Sequence, residues 1–137
     1  YKIDLASVKA SADAASYAGA SHFVYVSVSM SPSKIMKDYQ EVRKEGEAYC
    51  LSKNLNCSFI RPWYVLGPGH WWPVLLLPFY GIAQLVPSWR QAAQSKGLVT
   101  IRQMIQALVQ TIESSPQKVR CIEVAEIKRG VAKNHKT

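Results

Sequence analysis

The stretch from His22 to Gly69 constrains the fold more than any other part of this chain. It opens on His22-Phe23-Val24-Tyr25-Val26-Ser27-Val28, a run too uniformly apolar and β-branched for a surface strand, which fits the centre of a parallel sheet. Ser31-Pro32-Ser33 breaks that run. A helix is expected from about Lys34 to Lys53, with Ile35, Tyr39, Val42, Tyr49 and Leu51 at its apolar positions. Gly46 inside it costs about 1 kcal/mol against alanine, which predicts close packing there. A second strand, Cys57 to Ile60, runs into Arg61-Pro62-Trp63-Tyr64-Val65-Leu66-Gly67-Pro68-Gly69. Two strands joined by a helical crossover run parallel, and a Pro/Gly loop at the carboxyl end of such a strand is where open α/β sheets bind ligands.

The flanking segments extend the same pattern. Ile3, Leu5, Val8, Ala12, Ala15 and Ala18 recur at helical spacing, with Gly19 placed as a C-cap. Leu98-Val99 reads as a short strand. Thr100 then caps a helix from Ile101 to Glu113, with Ile101, Ile105, Leu108, Val109 and Ile112 on one face. Ser114-Ser115-Pro116 ends that helix, and Val119 to Val124 reads as a last strand. The order is α-β-α-β-loop-α-β, an α/β fold without internal repeats. With 137 residues the chain is long enough for one domain, expected over 1–127, with a small segment at about 70–97 and a basic tail at 128–137.

Composition excludes several classes of partner. Lys128, Arg129, Lys133 and Lys136 supply half of the net charge of +8, and a basic tail reads as a solvated end rather than a nucleic-acid arm. The remaining charge is scattered and lacks the stacking aromatics of a single-strand platform, so no nucleic-acid partner is expected. Cys50, Cys57 and Cys121 form no CxxC pair and no His cluster accompanies them. They read as free core thiols in a reducing compartment, the cytoplasm, and no metal site is expected. The sequence from Tyr1 on does not open with a charged-then-apolar leader, so no sign of secretion is expected. Trp71 to Trp89 carries no charge, but Pro73, Pro78 and Pro87 interrupt it and a membrane span needs roughly 20 apolar residues. It reads as a pocket wall or buried helix, and membrane contact is not expected.

Three features taken in order carry a family likeness. They are Phe23-Val24-Tyr25-Val26-Ser27, the helix with Tyr39, Arg43 and Glu47 at four-residue spacing, and the strand ending Arg61-Pro62-Trp63-Tyr64-Val65-Leu66-Gly67-Pro68-Gly69. This string resembles the carboxyl half of short-chain dehydrogenase/reductases, in their atypical and extended, epimerase-like branch. Leu98 to Leu108 is similar to the strand-then-helix near that family's substrate region, and the likeness covers about residues 3–127. The family's glycine-rich phosphate turn is not in this sequence. Gly19, Gly46, Gly67, Gly69, Gly81, Gly97 and Gly130 form no GxGxxG, and Trp72 and Pro73 stand where a cradle after Gly69 would need small residues. The resemblance therefore implies the carboxyl half of a Rossmann-like doubly wound parallel sheet, whose first strands would precede Tyr1.

The resemblance also implies a dinucleotide cofactor, NAD or NADP, and an oxidoreductase or epimerase-like activity on a small molecule. Tyr39 would be the general acid/base, with Arg43 one helical turn on. A cation beside a phenol favours the phenolate and can reach the nicotinamide ribose. Ser27, with Ser29 as second candidate, would orient the substrate oxygen. Pro62, Trp63, Tyr64 and Val65 would border the nicotinamide. Arg43 stands where the family usually carries lysine, and a guanidinium is bulky, planar and permanently charged. That substitution motivates the alternative of a non-catalytic nucleotide-binding or assembly subunit. A third reading is a free-standing interaction module. The plainer alternatives are a wet-hydroxyl tyrosine for Tyr39, an exposed Arg43–Glu47 ion pair, and a Ser27 hydroxyl bonded to local backbone. His70, near Trp71 and Trp72, either lines a substrate mouth or caps a surface turn, and the turn is preferred. His22 and His135 carry no assigned role.

Overall fold

A computed structural model describes residues 2–33, 36–67 and 97–130. Helix α1 spans Lys2–Tyr17 and buries Val8 and Ala12. Gly19 ends it at φ +67°, the left-handed backbone that glycine adopts without a Cβ penalty. The Gly19 and Ala20 N–H groups donate back to the Ser16 and Ala15 carbonyls at 3.1 and 2.9 Å, satisfying the helix end. Strand β1 is Phe23–Val26, α2 is Lys37–Ser52 and β2 is Cys57–Arg61. Strands β3 (Tyr64–Leu66) and β4 (Leu98–Thr100) follow. Helix α3 is Ile101–Glu113, β5 is Val119–Glu123 and α4 is Val124–Arg129.

The main sheet has the order β1-β2-β5, and both pairings are parallel. Strand alternation divides the core into two layers. Cys57 and Phe59 of β2 join Val8, Ala12, Cys50 and Leu55 from the α1/α2 side. Ile60 joins Val99, Met104, Ala107, Ile122 and Ile127 from the α3/α4 side. The described residues thus form an α/β fold, a small parallel sheet with helices on both faces. None of their helices is long and apolar enough to cross a membrane.

Several elements differ from the sequence expectation. The run expected at the centre of the sheet, β1, lies at an edge among the described residues, and β2 is central. The apolar composition of β1 records partly covered faces, with Phe23 and Tyr25 toward one cluster, Val24 toward the other and Val26 exposed. Covered faces do not require neighbours on both edges. Tyr64 and Val65, expected in a loop, belong to β3, which pairs in parallel with β4. Helix α3 begins at Thr100 as expected, through a reciprocal cap. The Thr100 hydroxyl accepts from the Gln103 N–H at 3.2 Å, and the Gln103 side-chain oxygen accepts from the Thr100 N–H at 2.9 Å.

The buried face of α3 is Met104, Ala107 and Thr111, whereas Ile101, Ile105, Val109 and Ile112 are exposed. Both stripes have helical spacing, and the direct β4–α3 junction fixes which one meets the sheet. Cys121 is exposed on β5 rather than buried. The last strand ends at Glu123, and the expected tail starts inside α4, whose final turn holds Lys128 and Arg129. The expected helix start at Lys34 and Ile35 lies outside the described residues, as do 68–96, with Gly69, His70, Trp71 and Trp72, and 131–137.

Candidate functional site

The carboxyl end of β1 feeds a connection that stays tied to β2. The Ser27 N–H donates to the Ile60 carbonyl at 2.8 Å and the Ser29 N–H to the Pro62 carbonyl at 2.9 Å. The pairing therefore continues past the last residue of β1. The Gln40 amide of α2 donates to the carbonyls of Ser29 at 2.7 Å and Ser31 at 2.8 Å. These bonds dock the first turn of α2 onto the strand exit, which sets where Tyr39 and Arg43 project.

Tyr39 and Arg43 meet as their spacing predicts. Arg43 Nε donates to the Tyr39 hydroxyl at 2.9 Å, and its guanidinium lies 4.9 Å from the Tyr39 ring centroid. A second phenol completes the group. Arg43 Nη1 donates to the Tyr25 hydroxyl at 3.0 Å and reaches the Val26 carbonyl, just before Ser27, at 3.4 Å. Asp4 of α1 lies 3.9 Å from Nη2. Burial weakens the Arg43 guanidinium's hold on its proton, but the Tyr25 and Tyr39 hydroxyls outweigh it and hold Arg43 charged. Burial pushes the Tyr25 phenol up, against the pull of Arg43, so Tyr25 stays neutral at physiological pH. Its ring packs edge-on against Phe59, centroids 6.3 Å apart. A cleft of about 350 Å³ opens here, lined in part by Asp4, Ser7, Phe23, Tyr25 and Arg43.

Ser27 is 4% exposed, and its hydroxyl has no hydrogen-bond partner among the described residues. A buried hydroxyl without a partner carries a desolvation cost that a ligand oxygen would relieve. Ser29 differs, because its hydroxyl donates to Ser31 Oγ at 3.2 Å. Pro62 is buried and its carbonyl takes the Ser29 N–H. Trp63 and Val65 pack on the α3/α4-side cluster, and Tyr64 is half-buried in β3.

Glu47 makes no ion pair with Arg43. It is 6% exposed and takes Arg61, whose Nε donates to Glu47 Oε1 at 3.0 Å while Nη2 pairs with Oε2. Arg61 Nη1 donates to Glu123 Oε1 at 2.9 Å. The Glu47 bond, opposed by burial and helped by Glu123, holds Arg61 protonated far above its usual range. This cluster joins α2, β2 and β5. A second cleft of about 410 Å³ runs past Gln40, Lys44, Glu47 and Arg61. Sequence reasoning missed both Tyr25 and the Glu47–Arg61–Glu123 cluster. Tyr25 carried a signal, as a polar-tipped aromatic inside an apolar strand.

Other reactive side chains stand apart from this group. Burial pushes the Cys50 thiol up to about 12, with Cys57 adding to it, and burial raises Cys57 too, so neither is a ready nucleophile. His22 Nε2 lies 2.8 Å from Ser58 Oγ at the amino ends of β1 and β2, and Ser58 is 1% exposed. Among the described residues no three His, Cys, Asp or Glu side chains group as metal ligands. No protein-family model and no curated protein matches the chain.

Proposed function

We propose that this chain binds the nicotinamide–ribose half of NAD or NADP at the carboxyl end of its parallel sheet, as an oxidoreductase or epimerase-like protein of the short-chain dehydrogenase/reductase type. The observation that carries the reading is Arg43 donating to the Tyr39 phenol one helical turn away, on the peptide that leads into the unpartnered Ser27 hydroxyl. The sheet order β1-β2-β5 with helices on both faces supports it as well. The residues fit the group: an unsatisfied donor, a phenol and a fixed cation at the strand ends where α/β sheets take ligands. The sequence holds no GxGxxG turn, so the reading assigns this chain the nicotinamide side alone.

When bound, NAD or NADP would supply the hydride in reduction or accept it in oxidation. Arg43 Nε donates to the Tyr39 oxygen and so holds in place the phenol with its proton. In reduction Tyr39 gives that proton to a carbonyl oxygen, and in oxidation it takes one from an alcohol. Ser27 donates to the same oxygen and orients it. Pro62, Trp63, Tyr64 and Val65 would border the ring. Residues Cys50, Cys57 and Cys121, all free thiols, suit a reducing compartment such as the cytoplasm.

One observation favours a non-catalytic nucleotide-binding role instead. Arg43 spends Nε and Nη1 on two phenols and a carbonyl, and a guanidinium cannot relay a proton as lysine can. Titration with reduced nicotinamide mononucleotide, NADH and NADPH tests the binding both readings share. Amide shifts confined to residues distant from Ser27, Tyr39 and Arg43, or no shifts, reject it. Hydride transfer to a panel of carbonyl compounds then separates the two. Turnover that Tyr39→Phe abolishes supports the oxidoreductase, and binding without turnover supports the non-catalytic subunit.

A further inference from the structure

We infer that Tyr25 is a positioning residue for the Tyr39–Arg43 pair, and that the missing side chain at Gly46 is what lets it act. Strand alternation turns Tyr25 toward α1 and α2, where its hydroxyl meets Arg43 Nη1 at 3.0 Å. To get there the phenol passes against Gly46. A Cβ at that position would sit 3.2 Å from the Tyr25 hydroxyl oxygen, 3.6 Å from its Cε1 and 3.0 Å from Val8 Cγ1. A Cβ at position 46 therefore requires the Tyr25 phenol and Val8 Cγ1 to give by a few tenths of an ångström, which shifts the hydroxyl off its Arg43 contact.

Arg43 needs this second anchor. A single i, i+4 contact is worth less than the rotamer entropy an arginine loses when held in one geometry. Tyr39 alone leaves Arg43 free to swing along the helix surface. Tyr25 pins Nη1, the Val26 carbonyl adds a further acceptor, and Nε is then aimed at Tyr39. A neutral phenol also holds Arg43 without adding to the negative charge that Asp4, 3.9 Å from Nη2, places beside it. The functional half of this inference rests on the proposed dinucleotide reading, whereas the geometric half stands by itself.

The test uses the whole chain labelled with ¹⁵N and reads the Arg43 side-chain Nε–H signal, identified by its loss in Arg43→Lys. Tyr25→Phe is expected to speed exchange of that proton with water about tenfold while the backbone spectrum stays native. Tyr49→Phe, on the same helix but bonded to Asp13, leaves the rate unchanged. Gly46→Ala reaches the same state without touching Tyr25, and adds little on top of Tyr25→Phe. An unchanged Arg43 signal in folded Tyr25→Phe overturns the inference. If Tyr25→Phe does not fold, Gly46→Ala decides alone, and a native exchange rate there overturns it.

Binding of reduced nicotinamide mononucleotide separates the two halves. Tyr25→Phe is expected to bind it about tenfold more weakly than wild type. Equal affinity of the two proteins rejects the positioning role alone. No binding by wild type rejects the dinucleotide reading, and the Arg43 signal then still decides the geometry.

Discussion

Arg61 is held by two carboxylates, Glu47 and Glu123, whereas Arg43 is held by two phenols, Tyr25 and Tyr39. Their side chains are equally withdrawn from water, at 18% exposure each, so partner chemistry and not burial distinguishes them. The carboxylates cancel the charge of Arg61 and use its donors to join α2, β2 and β5. The phenols orient Arg43 without cancelling its charge. Asp4, at 3.9 Å and with a side chain 45% exposed, screens it only in part. The first arrangement braces three elements, and the second holds a cation beside two phenols and one half-exposed carboxylate, Asp4. Of these two arginines, Arg43 is the one to which the proposed nicotinamide site is assigned.

The largest effect should come from breaking the brace. Arg61→Met leaves the buried Glu47 carboxylate unpaired and is expected to cost about 3–5 kcal/mol in urea unfolding. Adding Glu47→Leu should recover most of that loss, because the uncompensated charge goes with it. A cost near zero for Arg61→Met would mean that Glu47 has ready access to water, and the contrast would collapse. Gly46→Ala comes next: overpacking against Val8 and Tyr25 costs about 1–3 kcal/mol and the helix regains about 1 kcal/mol, for a net loss of up to about 2 kcal/mol. A net gain in chemical denaturation would mean that α1 and α2 yield freely at that point.

Arg43→Met should cost only about 1 kcal/mol, since the phenols it leaves can be rehydrated at the sheet edge. The same substitution should remove binding of reduced nicotinamide mononucleotide. A stability loss as large as that of Arg61→Met would erase the distinction between brace and site. The smallest effect concerns His22 at the opposite end of the strands. Burial, with the Arg120 charge adding to it, lowers its pKa from 6.5, so folding disfavours the protonated ring. The stability tied to neutral His22 is fully present above pH 6.5 and is lost as pH falls through the lower folded value. His22→Gln should flatten the fall in urea midpoint between about pH 7.5 and 5.5. An unchanged slope would show that the ring is hydrated in the folded state.

The elements legible in the sequence are those whose signals are local. The glycine that ends α1, the Thr100 cap of α3 and the Tyr39–Arg43 spacing each involve residues within about one helical turn of each other. Apolar periodicity located β1, β2 and β5 within one or two residues. What periodicity left open was direction. On α3 it found a stripe through Ile101, Ile105 and Ile112, and the sheet took the adjacent one through Met104, Ala107 and Thr111. The Glu47 partner was misjudged for a related reason, since Arg43 is its neighbour along the helix and Arg61 is its neighbour only across the packed core.

The sequence by itself determined an α/β chain with a parallel crossover and a tyrosine and arginine on one helix face. Those follow from periods of about two and 3.6 residues and from capping chemistry, which short stretches encode completely. Only the tertiary structure decided that β1 lies at an edge among the described residues, that Arg61 stands between Glu47 and Glu123, and that Tyr25 joins Arg43. Each depends on sheet register, Tyr25 beside Phe59 and Arg61 beside Glu123, and on the docking of α2 over β1 and β2. Register and docking are set by burial summed over the whole core, so residues far apart in the chain choose their partners together.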